Sequence, residues 1–576
     1  MAQKKNIDNT KIRQNDKVRP VIYQLLPRLF SNSCPSPKPW GPLTVNGSGK
    51  LNDITETVLT SIKQLGVTHV WYTGVIEHAH DADYTRYGIP KDNPYVIKGR
   101  AGSPYAITDY YDIDPDLAVD VEHRITEFEQ LVNRTHKLGL KVVIDFVPNH
   151  VGRQYRSDAR PGDAPADFGA DDDTDMFFSP TNDFYYITRQ QFAPQSGFGE
   201  GTDNPYIEFP AKASGNDCYT AFPSVNDWYD TVKLNYGVDP WNGSKHFAPI
   251  PGVWRKMLHI LGYWAAKGVD AFRCDMVHMV PVEFWSWALP QIKARFPGII
   301  FIAEIYDVSL YRPYINAGFD YLYDKVTLYD TLRAIVTSHV SAASLTSCWQ
   351  TVEGIGDNML TFLENHDEQR YASLQFAGTP ATALAPMAVT ACMGRGAVMI
   401  YMGQELGEPG ADAEGFSGND GRTTIFDYWS VEKLRRWLDM GTCKGKLSAG
   451  ELALRDMYSH VLNAVNKSSA LREGKFFDLM YVNYDNPSLN PHSEYAFMRA
   501  SADEAALIVA NFGASECETT VRIPLHAFST LSLTPGEHTA TDLISLRKRR
   551  IAMAPDSSVS VKVPPHGAVI LVWPLK

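Results

Sequence analysis

Residues 269–275 read VDAFRCD and residues 299–305 read IIFIAEI. Each is a short, largely apolar run with a carboxylate at or next to its end. Such a run, too short for a helix and apolar on both faces, reads as a buried strand of a parallel sheet. Six further runs share this character: VIYQLLPRLF from Val21, VTHVWYTGVI from Val67, KVVIDFV from Lys141, FDYLYD from Phe319, NMLTFLEN from Asn358 and AVMIYMGQE from Ala397. Amphipathic segments separate them. Ile54, Val58, Ile62 and Leu65 fall at helical spacing before the second run, and Ile125, Phe128, Leu131, Val132 and Leu138 before the third. Both predicted helices stop at a glycine, Gly66 or Gly139, where a left-handed cap costs little. Eight strands alternating with helices predict an α/β fold, a (β/α)₈ barrel.

The barrel is predicted over 19–150 and 241–473, behind an N-terminal tail at 1–18. The rhythm breaks at 151–240, which is rich in Gly, Pro, Asp and aromatics. So long an interval predicts a subdomain inserted after the third strand rather than a plain loop. After a helical stretch from about Ser448 to Leu471, residues 474–576 hold FFDLMYV, EYAFMRA, AALIVANF, TTVRIPL and GAVILVW. Short strands divided by Pro, Gly and Ser predict a C-terminal β-sandwich.

Composition narrows the function. The net charge of −12 carries no basic stripe, which argues against nucleic acid and anionic membrane surfaces as partners. Seven cysteines, odd in number and without a C-x-x-C pair, argue against a disulfide framework or a zinc site. The N-terminal residues are polar, with no apolar signal core, and no stretch of about 18 apolar residues follows, so the sequence as it stands predicts a cytoplasmic protein. A secreted form shorn of its signal peptide would read the same. Twelve tryptophans and 29 tyrosines would suit stacking on sugars as well as core packing.

Four of the predicted strands end in polar residues: Asp145 with Asn149 and His150, Arg273 with Asp275, Glu304, and His366 with Asp367. In a barrel these ends converge on one mouth, where catalytic groups sit. Three carboxylates, an arginine and two histidines suit glycosyl transfer at an acetal carbon, where one carboxylate attacks and another protonates the leaving oxygen. Arg273, two residues before Asp275, lies on the same strand face and can hold that carboxylate ionised.

Here the sequence resembles the α-amylase family, in four ordered motifs: DFVPNH (145–150), GVDAFRCD (268–275), FIAEIYD (301–307) and FLENHDEQR (362–370). The resemblance implies an enzyme acting on α-linked glucans such as starch, glycogen or maltooligosaccharides. It implies Asp275 as nucleophile, Glu304 as general acid/base and Asp367 as transition-state stabiliser. Arg273 matches the arginine beside the nucleophile, Asp145 that arginine's support, and His150 and His366 the histidines at the cleaved sugar. Tyr105 resembles the tyrosine stacked beneath that sugar, and Arg370 a contact to the next glucose. Where many relatives carry Lys-His after the nucleophile, this chain has His278 and Met279, which makes His278 the expected polar member of the leaving-group subsite.

No cofactor is implied for the chemistry. Asn149 matches a position that in many relatives supports calcium, and Asp171, Asp172, Asp173 and Asp175 are acidic, so structural calcium is one reading and a solvated loop the other. Three alternatives to hydrolysis remain at this point: a glucan transferase using the same site, a metal-dependent barrel enzyme, and a non-catalytic glucan binder. The residues leave endo or exo action, branch preference and oligomeric state open.

Overall fold

The computed structural model describes residues 18–195, 204–439, 441–443 and 445–575; the rest of the predicted N-terminal tail, 1–17, lies outside them. Among the described residues, eight parallel strands close into a barrel. They are β1 (Val21–Leu25), β2 (His69–Tyr72), β3 (Lys141–Phe146), β4 (Ala271–Cys274), β5 (Ile300–Ala303), β6 (Tyr321–Tyr323), β7 (Met359–Phe362) and β8 (Ala397–Tyr401). Each strand pairs with its sequence neighbours, and β8 closes on β1 through Val21↔Val398. All eight lie within the predicted runs, trimmed by a few residues. Both faces of these strands are covered, by barrel interior and by helices, which is why they read as apolar runs rather than alternations.

The helix Glu56–Gln64 begins on Thr55, whose side chain accepts the Val58 N–H, and it buries Val58, Leu59 and Ile62. The helix Arg124–Lys137 buries Phe128, Leu131 and Val132. Gly66 at φ 99° and Gly139 at φ 71° turn the chain out of these two helices, in the left-handed region as the sequence predicts.

Two excursions shape the barrel mouth. After β2, Ile76–His78 pairs antiparallel with Ile107–Ile113, a small sheet for which the sequence reading assigned no strand. It delivers Tyr105. After β3, His150–Gly152 pairs with Thr231–Lys233, in the register His150↔Lys233, and Tyr186–Ile187 pairs with Ala211–Lys212. This is the predicted insertion, pinned internally by the buried Arg153. Its guanidinium donates to Glu208 Oε1 (2.7 Å), Tyr229 O (2.7 Å) and Ser214 Oγ (2.8 Å) and lies 3.8 Å from the Phe192 ring centroid.

The C-terminal strands form a six-stranded antiparallel sheet and a two-stranded partner, Cys517–Ile523 with Ser557–Val563. Gly536–Asp542, Lys548–Met553 and Ser557–Val563 escaped the sequence reading. They are polar, largely exposed strands such as KRRIAM, with a weak apolar signal. No described helix is long and apolar enough to cross a membrane.

Candidate active site

Parallel pairing sets the register of the site. Arg273 on β4 lies opposite Asp145 on β3, and Cys274 lies opposite Ala303 on β5. The next residues, Asp275 and Glu304, therefore leave the sheet side by side. Their main chains stay tied to the barrel: Asp275 N–H donates to Phe146 O (2.9 Å) and Glu304 N–H to Cys274 O (3.0 Å).

One guanidinium organises the carboxylates. Arg273, fully buried, places Nη1 2.7 Å from Asp275 Oδ1 and 3.5 Å from Asp145 Oδ1, and Nη2 2.8 Å from Glu304 Oε1. Its Nε donates to Tyr323 Oη (3.3 Å), and the rings of Tyr105 and Trp71 lie 5.3 and 5.4 Å away. Asp145 is fixed in turn by Trp71 Nε1–H (3.1 Å) and Gly74 N–H (3.2 Å) on Oδ2. The planar fork holds several carboxylates at fixed angles, where a lysine would offer a freely rotating point charge.

Glu304 has two further partners that the sequence did not advertise. The Tyr306 hydroxyl donates to Oε1 (2.6 Å) and Met276 N–H to Oε2 (2.9 Å). Met276 sits at φ 41°, in the left-handed region, at a cost of roughly 1–2 kcal/mol. That turn aims its N–H at Glu304.

Burial, then the neighbouring Glu304 charge, pushes the Asp275 carboxyl well above the usual carboxylate range, and Arg273 opposes both. Asp367 stands half exposed at the cleft wall, where desolvation and then Glu304 push it up to about 7. Burial raises Asp145 to about 6, again against Arg273. The carboxyls outnumber the arginine, so the cluster holds protons near neutrality.

The histidines are neutral. Burial, and then Arg273, hold His366 well below its ordinary value; burial, then Lys233 and Lys98, hold His150 at about 3. The Gln24 amide nitrogen lies 2.7 Å from His366 Nδ1, which puts the ring proton on Nε2, facing Tyr105 Oη and Asp367 Oδ2 (3.2 Å). The Asp367 and Glu368 N–H groups both donate to Asn365 Oδ1 (2.9 Å each), which shapes the turn that presents Asp367.

These groups line a cavity of about 320 Å³ that includes Tyr105, His150, Asp275, Glu304 and Asp367. It also includes Trp228, Phe426 and Lys98, which lie outside the motifs, and Tyr306, which FIAEIYD contains but to which no role was assigned. Trp228 packs 5.1 Å from the His150 ring, and Lys98 pairs with Asp230 at 3.4 Å. Trp228 and Phe426 were legible only as composition, because they come from the irregular insertion and from a loop.

Two expectations fare differently. His278 lies beside the cavity rather than in it, half-buried, its ring 6.5 Å from Tyr306, and it lines an adjoining hollow with Lys233 and Asp217. Arg370 requires a correction. It is fully buried, donating to Glu364 Oε2 (3.0 Å), Met402 O (2.8 Å) and Thr423 Oγ1 (2.8 Å) over the Tyr401 ring, so it braces the loop after β7 and meets no open cleft.

The acidic run does not gather either. Asp172 accepts the N–H groups of Asp183 and Phe184, Asp173 accepts Asp175 N–H, and the run closes a turn with its own hydrogen bonds. At Asn149 the residues do not fit calcium, because the ammonium of Lys233 already sits on the side-chain oxygen. Among the described residues, acidic groups close enough for a metal occur at His80, Asp114 and Asp116, and at Glu77, Asp112 and Asp158. In the first group both Asp116 oxygens already accept phenol hydroxyls, from Tyr84 and Tyr428 (2.7 Å each). In the second, Arg124 faces both aspartates.

The chain is 24% identical over 549 residues to an α-amylase of Haloarcula japonica, across 94% of this chain and 60% of that one. It is 23% identical to a cyclomaltodextrinase of Geobacillus thermopakistaniensis, across 96% and 76%. It thus spans little more than half the length of several curated relatives. Among solved structures it superposes on an α-amylase of Geobacillus thermoleovorans with a TM-score of 0.61 at 18% identity, covering 96% of this chain and 98% of that one. A family model described as the α-amylase catalytic domain matches residues 24–437. With the barrel and the polar cluster at its mouth, that match identifies the chain as a member of the α-amylase family of glycoside hydrolases.

Proposed function

We propose that the chain hydrolyses α-1,4-glucosidic bonds in starch, glycogen or maltooligosaccharides by double displacement with retention. The observation that carries this reading is the single Arg273 fork, 2.7 Å from Asp275 and 2.8 Å from Glu304. Two carboxyls held on one guanidinium favour the short separation of retaining enzymes, about 5–5.5 Å, over the wider gap that admits a water.

In this reading the Asp275–Glu304 pair shares a proton, which lies on Glu304 when Asp275, bonded to Arg273, attacks C1 as the carboxylate. Glu304 gives its proton to the leaving glycosidic oxygen. The C1–O bond breaks as the ester to Asp275 forms, and Glu304 then takes a proton from the water that opens the ester. Asp367, with neutral His366 and His150, holds sugar hydroxyls and faces the oxocarbenium charge. Tyr105 and Trp228 supply the flat apolar surfaces that a pyranose ring covers. The substrate class agrees with the names of the relatives.

Stereochemistry tests the mechanism directly. NMR of the anomeric protons during the first minutes of hydrolysis of maltopentaitol, which has no reducing end of its own, is to show α-anomer first, with β-anomer appearing only by mutarotation. Initial β-anomer would mean direct attack by water.

A further inference from the structure

Lys233 ends the strand Thr231–Lys233 of the inserted segment and is buried, with 6% of its surface exposed. Its ammonium has three oxygen neighbours from three parts of the chain. Asn149 Oδ1 comes from the loop after β3, Met279 O (3.2 Å) from the turn after Asp275, and Asp217 Oδ1 (2.8 Å) from the inserted segment itself. An ammonium has three donors, and each meets an acceptor here.

A side-chain amide oxygen, a main-chain carbonyl and a carboxylate form the kind of oxygen set that a hard cation selects. Calcium would need six to eight such oxygens at ~2.3–2.6 Å. Here three converge, and the nitrogen fills their centre. The orientation of Asn149 is fixed as well, because its Nδ2 donates to Gly215 O (2.8 Å) and so points Oδ1 at Lys233. The groups that hold the catalytic turn are therefore joined to the insertion through one positive charge.

We propose that the Lys233 ammonium acts as a built-in structural cation. It locks the barrel end at Asn149, the Val277–Met279 turn behind Asp275 and the inserted segment together, and makes that joint independent of metal. The proposal concerns the scaffold around the site and stands apart from the assignment of hydrolysis.

The test is the melting temperature of the whole chain, wild type and Lys233→Ala, each in EDTA and in millimolar calcium chloride. Wild type is to melt within about 1 °C in the two buffers. Lys233→Ala is to melt lower by roughly 2–4 °C, in the range expected when a chain of this size loses a buried charge with its hydrogen bonds. Should the alanine variant not be recovered folded, Lys233→Gln, with its single uncharged amide, is to show the same fall. Hydrogen exchange locates the effect: amides in 148–152, 213–219 and 277–280 are to exchange faster in the variant, while the C-terminal sheet stays protected. A wild type that loses more than about 3 °C in EDTA, a variant that melts with wild type, or uniformly faster exchange would each overturn the proposal.

Discussion

Glu304→Gln removes a transferable proton while nearly preserving shape, and the structure sets what else it disturbs. Glu304 meets Arg273 Nη2 and the Tyr306 hydroxyl on one oxygen and Met276 N–H on the other. A glutamine that keeps its oxygen toward Arg273 and Tyr306 turns its amide nitrogen toward the Met276 N–H, donor against donor. The structural cost is one buried hydrogen bond, about 1–3 kcal/mol, which a chain of this size survives. The chemical cost depends on the leaving group. A sugar alkoxide needs the proton, and general acid catalysis contributes ~10²–10⁴, or roughly 3–5.5 kcal/mol of barrel-mouth chemistry. Dinitrophenolate leaves as a stable anion and needs none. Initial rates on maltotriose should therefore fall at least about a hundredfold. The first-turnover burst from 2,4-dinitrophenyl α-maltoside should stay within about tenfold of wild type, and a slow steady state should follow because the base for the second step is missing too. Azide, a nucleophile that needs no base, should restore turnover of the aryl substrate as α-maltosyl azide. Equal losses on both substrates, or no rescue by azide, would refute the assignment of Glu304.

Asp367→Asn should abolish most activity on maltooligosaccharides and raise the melting temperature at pH 8 but not at pH 4. The native carboxyl, raised from an ordinary 3.8 to about 7, binds more protons than the unfolded one, so it lowers stability progressively as pH rises between those values. Calorimetry at both pH values checks this, and a gain of equal size at each would point to packing instead. Arg370→Met should cost roughly 3–5 kcal/mol of stability by stranding the buried Glu364, with KM for maltooligosaccharides unchanged in the folded enzyme. Unaltered melting with a raised KM would restore Arg370 to the sugar.

The barrel was legible because its strands are buried on both sides, and a β-strand that sees no water leaves an apolar run that ends abruptly. Asp275 and Glu304 were legible for a related reason: each is a carboxylate just past a strand, and parallel register carries neighbouring strand ends to one place. Tyr105, His150 and His366 needed the family resemblance, because a histidine or tyrosine beyond a strand end has no signature of its own. Trp228 and Lys98 were not found, since their positions depend on how irregular segments fold back over the mouth; Tyr306 stood inside FIAEIYD, but nothing in the sequence marked its hydroxyl as a partner of Glu304. Arg370 was misplaced by its nearness in sequence to Asp367. A loop after a strand can turn a side chain inward, and here Glu364 draws it under Tyr401. At Asn149 the sequence showed the acceptor but not its cation, because Lys233 lies 84 residues away.

The charge balance of the mouth explains how these parts work together. Asp145, Asp275, Glu304 and Asp367 surround one guanidinium, both histidines are neutral, and Lys98 is engaged with Asp230. The resting site thus carries more negative charge than its cations offset, and it relieves the excess by keeping protons on carboxyls. In the proposed mechanism one such proton goes to the leaving oxygen. Positive charge appears at the sugar ring as the glycosidic bond breaks in that mechanism, and the carboxylates that repel one another in the empty cleft then have a cation to face. Binding that strengthens along the reaction coordinate is what lowers a barrier. By this argument a variant that relaxes the resting site, such as Asp367→Asn, gains stability and loses catalysis through one electrostatic term.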